Sequence, residues 1–312
     1  EHAGMSFIEA VEDLAQQAGL QVPQDDVSPQ DRAKAAQARA QQATLSSVLE
    51  KAGAAYIKHL RGSERAISYF KGRGLSGDIA KTFGLGYAPE GWRTLASVFA
   101  DYNDPLLVES GLVITGEAGE ENAHGEAKRY DRFRDRVMFP IRDARGRVIA
   151  FGGRALRSDV PAKYLNSPET PIFIKGEVLY NFDKARAAAH QNANIVAVEG
   201  YVDVIAMFRA GFTEAVAPLG TALTENQLAI MWKAVPEPVL CFDGDSAGQK
   251  AAYRALDLAL PLLKPGHSLK FAFLPEGQDP DDLLKTEGPE AVKTVVNAAE
   301  PMASVLWTRA LN

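Results

Sequence analysis

With 312 residues, 46% hydrophobic and 24% charged, the chain can build two cored domains and lacks the composition of a disordered protein. Its single cysteine, Cys241, excludes an internal disulfide and a Cys-built zinc cluster, while no apolar run reaches the roughly 20 residues of a membrane span and no secretory signal is visible. The net charge of −6 taken alone argues against nucleic acid, yet between Lys128 and Arg154 nine basic residues stand against three acids, a segregation that points to an electrostatic task.

The first 43 residues read as a helix and linker remnant. Phe7, Val11, Leu14 and Ala15 recur at helical spacing within Glu1–Leu20, and the opening without methionine suggests a helix cut from a larger protein. Val22–Ala43 is Gln- and Ala-rich and proline-punctuated, a linker passing into helix. Helices are predicted over Thr44–Arg61, Ser63–Arg73 and Asp78–Phe83, with Ser63 and Ser76 as N-caps. A short strand over Phe83–Tyr87 follows. Strand runs at Leu112–Thr115 and Val137–Ile141 enclose a polar loop, Gly116–Glu126, and Arg136–Phe151 reads as a hairpin closed by Gly152-Gly153-Arg154. A small mixed α/β domain over 44–181 is expected.

From Asn194 the pattern changes to strand, helix, strand, helix, the spacing of βαβ units in a mainly parallel, Rossmann-like sheet. Ile195–Val198 and Val239–Phe242 are apolar runs of strands buried on both faces. Ala215–Ala217 and Phe271–Leu274 are two more, giving an α/β domain over 182–290 and a helical tail over 291–312. Both main strands end in acid. Glu199-Gly200 closes the first, where the glycine permits a sharp turn, and Asp203 follows one turn into the next helix. Asp243-Gly244-Asp245 closes the second. Ligands of open α/β sheets bind outside the carboxyl ends of the strands. Asp279, Asp281 and Asp282 add to the set, and carboxylates converged at one edge repel each other unless divalent cations lie among them. Oxygen ligands without His or Cys favour Mg²⁺ or Mn²⁺ over zinc. Read alone, Asp243-Gly244-Asp245 is equally a turn and helix cap.

Cationic candidates lie upstream. Arg154 follows two glycines, and Lys163 and Lys175 fall in loops rather than on periodic faces; any one of them is equally a solvated surface charge. Lys128, Arg129, Arg132 and Arg134 begin a basic track suited to diffuse attraction to phosphates. Asn166 and Ser167 either meet a sugar or phosphate or cap a turn. Tyr201 fills the corner between strand and helix, and Trp92, Trp232 and Trp307 are expected in the core.

Six ordered motifs carry a family resemblance: RFRDRVMFPIRDARGRVIAFGGR, KYLNSPET, FIKGEVLY, EGYVD, FDGDSAGQKAA and PEGQDPDDLL. From about Tyr69 to about Leu284 the chain resembles the RNA polymerase core of bacterial DNA primases, with its Toprim domain. The resemblance implies templated synthesis of short RNA primers from ribonucleoside triphosphates on single-stranded DNA, by two-metal nucleotidyl transfer with Mg²⁺ or Mn²⁺. It assigns proton transfer to Glu199, metal binding to Asp203, Asp243 and Asp245, and a further acidic pair to Asp279 and Asp281. Arg154, Lys163 and Lys175 match its nucleotide-binding cluster, and Arg73 matches another member. It further implies a cytoplasmic enzyme of the replication fork, with no membrane partner. Zinc would belong to a separate N-terminal domain, and the replicative helicase would dock through a C-terminal domain missing here. Three rivals remain. Another Toprim enzyme, a nuclease or topoisomerase, would leave KYLNSPET without a role. A haloacid-dehalogenase-type phosphohydrolase wants threonine where Ser246-Ala247 stand. A non-catalytic Toprim scaffold for DNA needs neither so many acids nor the cationic cluster.

Overall fold

A computed structural model describes residues 29–116, 128–220 and 222–311. The helix expected over Glu1–Leu20 and most of the loop expected over Gly116–Glu126 lie outside the described residues. Two compact units divide the chain, Glu1–Ala43 and Thr44–Asn312. Helix α1 (Pro29–Arg61) begins well before the expected Thr44. Its Gln-, Ala-, Arg- and Lys-rich first half consists of strong helix formers, and a proline is tolerated in a first turn. No described helix is long and apolar enough to cross a membrane.

Within the larger unit, Leu45, Leu49, Ala52, Tyr56 and Leu60 form a buried stripe along α1, the spacing of one helical face. Helices α2 (Glu64–Gly72) and α3 (Gly77–Phe83) follow, capped by Ser63 and Ser76 as expected. The strand expected at Phe83 is displaced to β1 (Gly86–Ala88). Gly84, at φ +66°, ends the helix in the left-handed conformation first. After α4 (Pro105–Glu109), the short β2 (Val113–Thr115) and β3 (Arg129–Asp131) pair with each other. Strands β4 (Arg136–Arg142) and β5 (Val148–Ala155) form the predicted hairpin. It does not close at Gly152-Gly153-Arg154, which lie inside β5. Phe139 pairs with Gly152 and Gly153 with Leu165 of β6 (Tyr164–Asn166), in the antiparallel order β1-β4-β5-β6. The two glycines are surfaces, not breaks. A Cβ at Gly152 would stand 2.5 Å from the Tyr201 ring, and one at Gly153 would stand 2.9 Å from Phe133.

Helix α5 (Phe182–Asn192) leads into the second sheet, β7 (Val196–Ala197), α6 (Tyr201–Arg209), β8 (Ala215–Val216), α7 (Glu225–Ala234), β9 (Val239–Phe242), α8 (Ser246–Ala259) and β10 (Lys270–Phe273). The four strands are parallel in the order β10-β9-β7-β8. Right-handed crossovers then send α6 to one face and α7 and α8 to the other. The packing agrees: Val202, Ile205 and Met207 of α6 share a core with Phe139 and Tyr180, while Ala185, Leu228, Met231 and Leu256 form the opposite one. Tyr201 joins the two sheets, stacking on Phe139 at 5.1 Å and meeting Tyr180 edge-on at 4.7 Å. It fills the corner and more. Helices α9 (Pro280–Glu287), α10 (Pro289–Asn297) and α11 (Met302–Leu311) complete the tail, with a two-residue strand, β11 (Glu300–Pro301), set antiparallel on β10. The sequence gives no hint of that edge pairing.

Candidate active site: an acidic strand edge beside a caged arginine

The direction of crossing reverses between β7 and β9, so a crevice opens at their carboxyl ends. Glu199 follows β7 and Asp243 follows β9, and the Asp243 N–H donates to Glu199 Oε1 at 3.4 Å. Gly200 is extended at φ −140°, which any residue adopts. Its task is clearance, because a Cβ there would press on Asp203 Oδ2 at 2.9 Å. Gly244 lets two loops touch: it donates to Gln278 O at 3.1 Å and accepts from Gly277 N at 2.8 Å. A Cβ at Gly244 would fall 1.8 Å from Pro275 O. That lacing brings Asp279 beside Asp243. Asp245 caps α8 by accepting from Gly248 N at 2.7 Å, and Asp279 caps α9 by accepting from Asp282 N at 2.7 Å. Each cap uses one carboxylate oxygen. The cap reading and the site reading of Asp243-Gly244-Asp245 are therefore compatible.

The acids feel one another. Burial, then the charges of Asp279, Asp243, Asp281 and Glu199, pushes the Asp203 carboxyl up to about 8. Burial, then Glu199, Asp279, Asp245 and Asp282, pushes Asp243 up to about 7. Among the described residues no cationic side chain pairs with Glu199, Asp203, Asp243, Asp245 or Asp279, and no three His, Cys, Asp or Glu side chains stand close enough to form a finished metal site. The charge and the oxygen donors fit a hard divalent cation, which would relieve their repulsion.

Asp281 differs from its neighbours. It is 1% exposed and pairs with Arg73 at 2.9 Å, with Lys285, and with Arg209 at 3.9 Å. Three cations already face it, and Arg73 commits one guanidinium nitrogen to that pair. This hub ties the end of α2, α6 and α9 together, and only its Asp281–Lys285 arm, an i,i+4 pair, is visible as spacing in the sequence.

Across the α6 face lie Arg154 and Lys163, while Lys175 sits against α7. Arg154, 6% exposed, lies between Tyr69 and Tyr164, its guanidinium 5.2 and 5.5 Å from the two rings, and donates to the Tyr69 hydroxyl. Its Nε has no hydrogen-bond partner among the described residues. The Lys163 side chain is exposed and forms no ion pair among the described residues, while its carbonyl accepts from Arg136 at 3.2 Å. Lys175 opens a 3₁₀ turn (Lys175–Glu177) bound to α7, with its carbonyl accepting from Gln227 Nε2 at 2.9 Å. Ser167 is wholly buried and accepts from Phe151 N at 3.0 Å, a framework role. Asn166 is framework too. Its Oδ1 accepts from the Tyr201 hydroxyl at 2.8 Å, and its Nδ2 donates to Leu219 O at 3.1 Å.

The basic track is more ordered than expected. Asp131 is buried and accepts from the Tyr102 hydroxyl at 2.7 Å; Asp135 is buried and accepts from Tyr87 at 2.9 Å. The segment thus turns two of its acids inward. Arg132 donates twice to Asn166 O, at 3.1 and 3.0 Å, and Arg129 to Asn103 O; Lys128 is exposed. Arg134 stacks on Trp92 at 4.2 Å and on Tyr130 at 5.0 Å. Trp92 is 64% exposed and Trp307 is 69% exposed, so the expectation that both are core is wrong; Trp232 is buried as expected. For Trp92 the signal lay in Pro89-Glu90-Gly91, turn-forming residues that place the next side chain on a loop.

An acidic crevice at the switch point of a four-stranded parallel sheet places the second half of the chain in the Toprim class. The comparisons agree: the Toprim domain pattern matches residues 193–273, and the pattern described as "DNA primase catalytic core, N-terminal domain" matches residues 55–186. A DNA primase domain from Pseudomonas aeruginosa, seen in a crystal structure, is 47% identical with a TM-score of 0.77, over 85% of this chain and 82% of that one. The DnaG primase catalytic domain bound to ssDNA is 39% identical with a TM-score of 0.78, over 87% and 83%. The chain belongs to the DNA primase family, as its catalytic core. Curated DNA primases from Pseudomonas putida and Escherichia coli K12 are 47% and 40% identical over 98% and 97% of the chain. It spans about half their length, 46% and 51%.

Proposed function

We propose that the chain polymerises ribonucleotides into short RNA primers on a single-stranded DNA template. The observation that carries this reading is the set of unneutralised acids at the strand edge, with caged Arg154 beside it. Mg²⁺ or Mn²⁺, held by Asp203, Asp243, Asp245 and Asp279, would supply Lewis-acid activation and charge neutralisation for phosphoryl transfer. Glu199, exposed at the end of β7, accepts the proton of the attacking 3′-hydroxyl. Arg154 holds the triphosphate from a fixed position, its plane set by two tyrosine rings, and its unpartnered Nε is a donor in reserve. Lys163 and Lys175, without an ion pair among the described residues, add their charge. Asp281 and Arg73 hold helices rather than ligands in this reading.

The template follows the Trp92, Arg134 and Tyr130 surface, where an exposed ring already stacked on a guanidinium offers a base platform. Lys128, Arg129 and Arg132 continue that track toward the Tyr201–Asn166 corner. The test is incubation of the chain with ribonucleoside triphosphates, single-stranded DNA and Mg²⁺ or Mn²⁺. Labelled RNA oligomers are expected from the parent and none from Asp243→Asn. DNA nicking or relaxation without RNA synthesis would point to another Toprim chemistry.

A further inference from the structure

Nucleotidyl transfer has two nucleotide partners, and Arg154 and Lys163, beside the α6 face, account for one of them, the triphosphate. On the opposite face of the same strand ends, a cleft of ≈ 390 Å³ opens between β7, β9 and α8, a volume in the range of small-molecule sites. Its floor is apolar, with Leu240 and Phe242 of β9, and Glu199 stands at its mouth. Ala251, Arg254 and Ala255 line its wall from α8, positions that share one helical face. The small alanines leave room, and Arg254 is exposed and forms no ion pair among the described residues. The next residues on α8 are engaged elsewhere: Tyr253 and Asp257 both meet Arg309.

We infer that this cleft receives the 3′-terminal nucleotide of the growing RNA strand, with Arg254 as the positioning residue for its phosphodiester. The inference rests on the polymerase reading above. Base and ribose lie on the apolar floor, the guanidinium takes the phosphate, and the 3′-hydroxyl is directed to Glu199. The Glu199 carboxylate takes the proton as the 3′-oxygen forms a bond to the α-phosphorus of the triphosphate and the α–β bridging oxygen departs with pyrophosphate. The two substrates thus approach the acids from opposite faces of the sheet.

The test uses an RNA primer with 4-thiouridine at its 3′ end, annealed to a DNA template. Photo-crosslinks are mapped on the parent chain, and primer extension is followed in the parent, Arg254→Gln and Lys163→Ala. Crosslinks within 222–223 or 251–255 are expected. Arg254→Gln should raise the primer–template KM roughly tenfold, the loss of one charge-assisted contact, and leave the triphosphate KM within about twofold. Lys163→Ala should do the reverse. Crosslinks confined to 163–166, or an unchanged primer–template KM in Arg254→Gln, would overturn the inference. Crosslinking needs no turnover. A cleft crosslink without extension by the parent would therefore uphold the cleft and reject the polymerase, and extension with no cleft crosslink the opposite.

Discussion

The acids carry two burdens, and single residues separate them. Asp245 uses one oxygen to cap α8, and asparagine caps as well as aspartate does. Asp245→Asn and Asp243→Asn should therefore fold, bind single-stranded DNA as the parent does, and lose RNA synthesis by at least a hundredfold. Equal loss of DNA binding and synthesis in a folded variant would remove this division of labour. The pH dependence follows from the raised carboxyls. With Asp203 held up to about 8 and Asp243 up to about 7, the folded metal-free chain keeps protons that the unfolded chain has released above roughly pH 4. Stability therefore falls as pH rises from about 4 toward 8. Mg²⁺ must displace those protons, so its affinity should climb with pH by up to about tenfold per unit per proton and level off above about 8. Calorimetric titration and melting with and without Mg²⁺, between pH 5 and 9, check both slopes.

Elements meet at two places that variants can probe. Gly244→Ala would drive a methyl into the Pro275 carbonyl, so the two acid-bearing loops must part. Overpacking of this kind costs about 1–3 kcal/mol, and the separation of Asp279 from Asp243 should also weaken Mg²⁺ binding. Thermal melting and a Mg²⁺ titration on the same variant read both effects. Arg73→Ala probes the hub at Asp281. Lys285 and Arg209 still face the carboxylate, so the loss should be about 1–3 kcal/mol rather than that of a fully orphaned buried charge. Urea unfolding would register it. Triphosphate affinity should change little, whereas a large loss of affinity with unaltered stability would return Arg73 to the nucleotide site.

For the whole molecule, the −6 net charge and the basic surface around Arg134 act on the same DNA with opposite sign. Affinity for single strands should be modest and salt-sensitive, with a log–log slope of about −0.7 per phosphate contact. Trp92→Ala should weaken binding by about 1–3 kcal/mol through lost stacking while leaving that slope nearly unchanged. Anisotropy titrations of a labelled oligonucleotide at several salt concentrations distinguish the stacking contribution from the charge contribution.

Much of this was written into local sequence. Val239–Phe242 is bounded as its apolar run predicts, because a strand buried on both faces tolerates little else. Ser63 and Ser76 cap the helices that their side chains signal. The acids at both strand ends are legible because strand length and sheet polarity fix where a buried parallel strand must end. Other features depend on partners distant in the chain. Gly152 and Gly153 read as breaks until the Tyr201 and Phe133 rings are seen to lie on them. Asp279 faces the crevice, whereas Asp281, marked in sequence only by Lys285 four residues on, is enclosed by Arg73 from the end of α2 and Arg209 of α6 as well. Trp92 looks like core until its loop carries it to the surface under Arg134. Local composition decides which segments are strand or helix and where carboxylates cluster, since backbone geometry and burial act residue by residue. Which carboxylates stay unneutralised, and which arginine is free to hold a phosphate, is decided by the neighbours that folding brings within a few ångströms.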